Sequence, residues 1–454
     1  MATPYEPTPE SLRAHAVPDW FADAKLGVFV HWGLYSVPAW ADPESDHAYA
    51  EWYPFYMHRD GTPTTEYHRA EYGDDVDYLD FAAEFTAENW DPERWAAFFD
   101  DVGARYVVMT AEHHDGFPLW DTQYTRYNAA TMGPERDLVA DLCAAVRDAG
   151  LRFAPSYHAN FNYYQPGFGG ADGHPDFNLP DEIFGDDGFR EAVGPGPEYA
   201  DFMNAKHREL IRETDPDLLW FDTPQADAET VRARELIADF YNRAAARGRE
   251  VAVNDRAATG AVHADFVTPE YETYDEIREG KWEACRGVGR SFGYNRAEDA
   301  SHHLSARELV HLFVDVVSKN GNLLINVGPR ADGTIPALQK RPLEGLGAWL
   351  DRYGAAIYGS APWVTAEDPG APVEVRYTHR DGTLYATCFD WPGGDLSLSV
   401  GAGAAPDAVD GARHVGGDAI PWTATASGVT LSLPDAPPES APAYVFALDG
   451  VPAP

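Results

Sequence analysis

Tyr106-Val-Val-Met-Thr110 runs without a turn signal into Ala111-Glu-His-His-Asp-Gly-Phe117. The first five residues are apolar or β-branched, which predicts a strand buried on both faces, as parallel sheets require. Glu112, His113, His114 and Asp115 then fall where that strand ends. Charged groups are costly to bury unless they are paired or used, so the pattern puts chemistry at a strand's C-terminal end. The same form recurs along the chain. Gly27–His31, Arg152–Ser156 (then Tyr157-His158), Leu218-Leu-Trp-Phe-Asp222, Val251–Asn254 (then Asp255-Arg256), Asp265–Thr268 (then Pro269-Glu270), Lys281-Trp-Glu-Ala-Cys285 and Asn322–Asn326 complete a set of eight, of which the seventh is short and polar. Amphipathic stretches alternate with them. The expectation is an α/β chain with a (β/α)8-type barrel, whose active site lies at the C-terminal strand ends.

Helix boundaries support this alternation. Asp91-Pro92-Glu93 supplies an N-cap, a proline for the first turn and an acid beside it. Residues 137–149 and 229–247 read as helices, and Ser305 with Glu308 forms a capping box. The stretches 40–85 and 165–200 read as long βα loops, where function concentrates. Beyond residue 360 helical periodicity stops. Runs 373–377, 384–388, 396–400, 429–433 and 443–447 alternate apolar with polar, separated by Gly, Pro and Asp. A catalytic barrel over 1–360 followed by a small C-terminal antiparallel β-sandwich over 361–454 is therefore expected. One face of such a sheet must be buried somewhere, and bracing the barrel is the expected use.

Composition excludes several classes of partner. Of the 454 residues 74 are acidic and 34 basic, a net charge of −40. Nucleic acid and anionic membrane surfaces need a basic face, so both are excluded. A surface this acidic repels itself at low ionic strength, which predicts a halophilic protein in which cations screen the charge. The three cysteines are far apart and odd in number, which argues against a disulfide framework. The N-terminal residues carry neither a basic nor an apolar leader segment, and no run reaches the ~18–20 apolar residues of a membrane span. A cytoplasmic protein is the expectation.

Two carboxylates on different strand ends suit glycoside cleavage, one as nucleophile and one as acid and then base. Asp222, after the buried run Leu-Leu-Trp-Phe, is the candidate nucleophile. Glu270 is the candidate general acid/base, with Glu283 as its competitor. His113, His114 and Asp115 raise the question of a metal. Neighbours on an extended strand point to opposite faces and share one ion poorly, so no metal and no cofactor are expected. A lectin that keeps the pocket without turnover would not need both carboxylates.

Taken in order, Trp20-Phe21, Lys25-Leu-Gly-Val-Phe-Val-His-Trp-Gly33, Tyr35-Ser-Val-Pro38, Glu51-Trp-Tyr53, Glu112-His-His-Asp-Gly-Phe117, Trp220-Phe-Asp222, Asn254-Asp-Arg256, Trp282-Glu283, Ser291-Phe-Gly-Tyr-Asn295 and Asn322-Leu-Leu-Ile-Asn-Val-Gly-Pro329 resemble the α-L-fucosidase family, glycoside hydrolase family 29. The resemblance implies a metal-independent, retaining exo-glycosidase that acts on a fucosylated glycan or fucoside. It implies Asp222 as nucleophile and His31, Glu51, Trp52, His113, His114, Tyr157, Trp220 and Arg256 lining the sugar subsite, with Phe292 facing the C6 methyl. Two positions depart from the family's usual pattern: Arg256 is followed by Ala-Ala-Thr-Gly rather than Trp, and Phe292 stands where Trp is common. A galactose-directed exo-glycosidase is the neighbouring alternative, distinguished by the methyl pocket, and a homo-oligomer remains open.

Overall fold

The computed structural model describes residues 4–45, 48–158, 197–223, 228–229, 231–258, 265–400 and 408–453. Most of the expected loop 165–200 lies outside these residues. Seven parallel strands are continuous: β1 (Leu26–Val30), β2 (Tyr106–Glu112), β3 (Arg152–Tyr157), β4 (Leu218–Phe221), β5 (Ala252–Val253), β6 (Trp282–Gly287) and β7 (Gly321–Val327). Their order is β5-β4-β3-β2-β1-β7-β6. Nearly every residue of these strands is buried, because the curled sheet has side chains packed on both faces.

The expected sixth strand is not continuous. Residues 266–270 instead join the two edges by single parallel bridges, Asn254 to Phe266, Val267 to Trp282 and Glu270 to Cys285. The physical cause is a shortage of donors. Pro269 has no N–H, and the Thr268 N–H goes sideways to Asp255 Oδ1 at 3.1 Å. The expected seventh strand, read as the weakest, is a full six-residue strand paired along its length with β7.

The caps form as their residues dictate. Asp91 accepts from the Arg94 N–H at the start of Pro92–Asp101, and Asp137 does the same for Ala140 at the start of Leu138–Asp148. Ser305 and Glu308 close a reciprocal capping box ahead of Ala306–Ser318. The stretch 40–85 is more ordered than a loop. It holds a 3₁₀ turn at Ala50–Trp52 and helices at Tyr53–Tyr56 and Pro63–Glu71.

After residue 360 come β8 (Ala361–Glu367), β9 (Val375–Arg380), β10 (Thr383–Cys388), β11 (Asp395–Ser399), β12 (Gly411–His414), β13 (Trp422–Ala424), β14 (Gly428–Ser432) and β15 (Tyr444–Asp449). They form a five-stranded sheet, β12-β15-β10-β9-β8, and a three-stranded sheet, β11-β14-β13. Alternation sorts the side chains. Leu384, Ala386, Phe446 and Leu448 join Leu396, Leu398 and Leu431 in a core between the sheets. Tyr385, Val445 and Ala447 turn the other way into the barrel's own core. Trp349 Nε1 donates to the Ala443 carbonyl at 3.0 Å across this contact. All three cysteines are buried and free. Among the described residues no helix is long and apolar enough to cross a membrane.

Candidate active site

Phe29, His31, Tyr49, Glu51, Trp52, His113, His158, Trp220, Asp222, Arg256, Glu270, Cys285 and Phe292 surround a cavity at the C-terminal ends of the barrel strands. Nine of the eleven residues singled out from the sequence line it. His114 lies just behind the wall, with Nε2 3.6 Å from Asp222 Oδ2 and its ring 4.9 Å from that of Trp52.

Tyr157 is the one that does not converge. Its ring faces away from the cavity and packs against His207 at 4.1 Å between centroids. Alternation explains the swap, since Tyr157 and His158 are neighbours at the end of β3 and must point to opposite sides. His158 takes the inward position, with Nδ1 3.3 Å from Asp222 Oδ2 and Nε2 2.6 Å from Ser156 Oγ. Tyr157 instead borders the buried ion pair between Lys206, on the helix Pro197–Thr214, and Glu112 at the end of β2 (2.5 Å).

Asp222 follows β4 directly. The Asn254 side chain grips the residue before it, accepting from the Phe221 N–H and donating to the Phe221 carbonyl, each at 2.9 Å. The Arg256 guanidinium, at the end of β5, is held by Thr268, whose hydroxyl accepts from Nε at 2.9 Å and whose carbonyl accepts from Nη2 at 2.8 Å. Its Nη1 donates to two carboxylates at once, Asp222 Oδ1 at 3.0 Å and Glu270 Oε2 at 2.8 Å. Burial alone would raise the Asp222 pKa. The His158 charge, hydrogen bonds from His114 and His158, and Arg256 outweigh it and hold the carboxyl well below the usual range. Glu270 Oε1 accepts from the Tyr49 hydroxyl at 3.0 Å.

The remaining walls are equally fixed. Asn326 Nδ2 donates to the Phe292 carbonyl at 2.6 Å, so its Oδ1 faces His31 Nδ1 at 2.7 Å as acceptor. That leaves His31 Nε2 unprotonated, and burial keeps His31 and His113 neutral well below the ordinary histidine pKa. Glu51 Oε2 accepts from the Ser291 hydroxyl at 3.0 Å and the Gly293 N–H at 2.8 Å, while burial pushes its pKa up to about 7. Gly328 lets the segment bearing Phe292 lie against the end of β7, since a Cβ there would strike the backbone of Phe292–Tyr294.

Glu283 lies below the cavity floor. It accepts from the Tyr106 hydroxyl and from Trp220 Nε1 (2.9 Å) and is fully buried. It supports Trp220, over whose ring the Arg256 guanidinium lies at 5.0 Å. Asp115 is also turned away, accepting from the Tyr78 hydroxyl at 2.7 Å. The His113-His114-Asp115 grouping therefore does not converge. Instead His31, His113 and His158, and separately His114, His158 and Asp222, bring ligand atoms within 4.8 Å of one another.

Four lining residues, Phe29, Tyr49, His158 and Cys285, are not singled out by the sequence reasoning. The signal for His158 was the two-residue period of β3. Tyr49 carried only its place two residues before Glu51.

A family model described as α-L-fucosidase matches residues 1–355. The α-L-fucosidase of Dictyostelium discoideum is 30% identical over 465 residues, covering 97% of this chain and 94% of the relative. The human plasma α-L-fucosidase is 33% identical over 453 residues, covering 95% and 89%. The crystal structure of the Thermotoga maritima α-fucosidase with a mechanism-based inhibitor superposes with a TM-score of 0.84 at 40% identity, covering 98% of this chain and all of that one. On this agreement of sequence, fold and length, the chain belongs to the α-L-fucosidase family of glycoside hydrolases.

Proposed function

We propose that the chain hydrolyses terminal α-L-fucosides by double displacement, with Asp222 as nucleophile and Glu270 as general acid and then base. The observation that carries this is the shared Arg256 nitrogen. Asp222 Oδ1 and Glu270 Oε2 share Arg256 Nη1 at 3.0 and 2.8 Å, so their facing oxygens lie within about 6 Å of each other, which suits the ~5–5.5 Å carboxyl spacing of retaining enzymes. An Asp222 oxygen attacks the anomeric carbon as Glu270 gives its proton to the leaving oxygen. Water then loses a proton to Glu270 and displaces Asp222, so the configuration is retained.

Neutral His31 and His113, with His114, His158, Glu51, Trp52, Trp220 and Arg256, suit the sugar hydroxyls and ring. Phe29 and Phe292 suit a methyl at C6. A hydroxymethyl there would bury an unpaired hydroxyl, at a cost of about 1–3 kcal/mol. A related Thermotoga maritima α-fucosidase has been crystallised with fucose.

The test is 4-nitrophenyl α-L-fucoside with wild type and Asp222→Ala. The variant should lose at least about a thousandfold in kcat, and azide should restore turnover as β-L-fucosyl azide. Wild-type activity in the variant would remove Asp222 from this role.

The net charge of −40 supports a halophilic enzyme, for which the unfolding midpoint rises with KCl; equal stability near zero salt would end that proposal. A cytoplasmic location, in keeping with three buried free thiols, is checked by cell fractionation, and homo-oligomer formation by light scattering.

A further inference from the structure

Glu270 has two oxygens and two unlike partners. Oε2 faces Arg256 Nη1 at 2.8 Å, and Oε1 faces the Tyr49 hydroxyl at 3.0 Å. A guanidinium only donates hydrogen bonds, so Oε2 cannot hold a proton in that contact, and a transferable proton belongs on Oε1. A tyrosine hydroxyl both donates and accepts. It can therefore donate to ionised Oε1 and turn aside once Oε1 is protonated.

We propose that Tyr49 is a positioning residue for the reaction: with Arg256 keeping a proton off Oε2, the Tyr49 hydroxyl donates to ionised Oε1 and holds in place the oxygen that releases and retakes the proton. The inference rests on Glu270 being the general acid.

The Tyr49 ring is well placed for this. It lies 6.1 Å from the Tyr271 ring and 5.6 Å from the Phe292 ring, so packing fixes the hydroxyl's position. Burial, with the Glu270 and Glu51 charges, keeps the phenol protonated far above neutrality. The charged and titratable groups around Glu270 are Arg256, Asp222, Glu51, Cys285 and Tyr49. Of these, Tyr49 and Arg256 hydrogen-bond to it.

In the first half-reaction the proton leaves Oε1 for the glycosidic oxygen. The C1–O bond breaks as the C1–Asp222 bond forms, and the aglycone departs as an alcohol. The Tyr49 O–H then donates to the new Oε1 charge. In the second half, Oε1 takes a proton from water as hydroxide replaces Asp222 at C1. Tyr49 ends each cycle with its own proton.

Tyr49→Phe keeps the ring and removes the hydroxyl. The lost hydroxyl no longer favours the ionised form of the acid, so the basic limb of the kcat/KM–pH profile should move up by roughly one pH unit. The loss should also depend on the leaving group. An unactivated fucosyl alcohol, which needs protonation, should lose at least about tenfold in kcat/KM. 4-Nitrophenyl fucoside, which leaves without help, should lose under about threefold. Equal losses on both substrates with an unmoved limb would mean Tyr49 only packs, and would overturn the proposal.

Glu270→Gln, run in parallel, separates the two ideas. If it removes the basic limb while Tyr49→Phe leaves that limb in place, Tyr49 alone is wrong. If Glu270→Gln keeps both the limb and the activity on the alcohol, the acid lies elsewhere and this inference falls with it.

Discussion

Lys206→Met tests how much of the barrel's stability depends on one buried cation. Lys206 and Glu112 lie 2.5 Å apart with both side chains 0% exposed. The Trp120, Tyr157 and Phe202 rings surround Lys206 Nζ at 5.6, 6.0 and 5.1 Å. Glu209 and Asp115 act on it as further negative neighbours. Removing the amine leaves Glu112 charged, dry and close to other acids. Breaking one side of a buried pair costs about 3–5 kcal/mol, because the remaining charge is uncompensated. Replacing both sides costs much less, since no ion is then left to desolvate. With a urea slope of about 1–3 kcal/mol/M, the single variant should unfold roughly 1–5 M earlier. Lys206→Met with Glu112→Gln, which keeps the carbonyl acceptor, should regain more than half of that shift. The assay is tryptophan fluorescence against urea at fixed KCl, scored only where the slope is unchanged. A midpoint shift under about 0.3 M for the single variant, or a double variant no better than the single, would refute the reasoning.

Other expectations follow from the same geometry. Burial raises Glu283 to about 7 against an ordinary 4.5, so the folded state favours its protonated form. The stability this gives is complete below pH 4.5 and is lost as pH rises through about 7. Glu283→Gln should flatten that fall by an amount on the order of 1–3 kcal/mol, read from unfolding midpoints at pH 5 and 8; an unchanged slope would exclude it. Asp222 is held well below 3.8, so it stays ionised and kcat/KM should persist as pH falls toward 4, whereas His158→Gln should move the acid limb upward. Dialysis against EDTA should leave kcat/KM within about twofold; a loss restored by zinc would reveal a metal on the histidine clusters.

Much of the barrel is legible in the sequence because its signal is local. Caps such as Asp91, Asp137 and Ser305 act within a few residues of themselves, and a strand buried on both faces announces itself by apolar content. That same burial conceals which residues face inward, since no polar face marks one side of β3: the resemblance implies Tyr157, and His158 is the residue that points into the cavity. The break at 266–270 depends on Asp255 capturing the Thr268 N–H, a contact thirteen residues long. Strand β13 is three residues, and β8 carries Pro362, so neither shows a clear alternation. Tyr49 has no motif of its own, and its importance depends on a partner 221 residues away.

Arg256 can serve as the timer of the cycle. In the proposed double displacement, while Asp222 is ionised one guanidinium nitrogen divides its pull between two carboxyl groups. Once Asp222 becomes an ester its charge is gone, and the full pull of that nitrogen falls on Glu270 just after it has given its proton away. The acid is thus remade as an ionised base by the chemistry at its neighbour, with no movement of the backbone. When water frees Asp222, the division returns and the site resets.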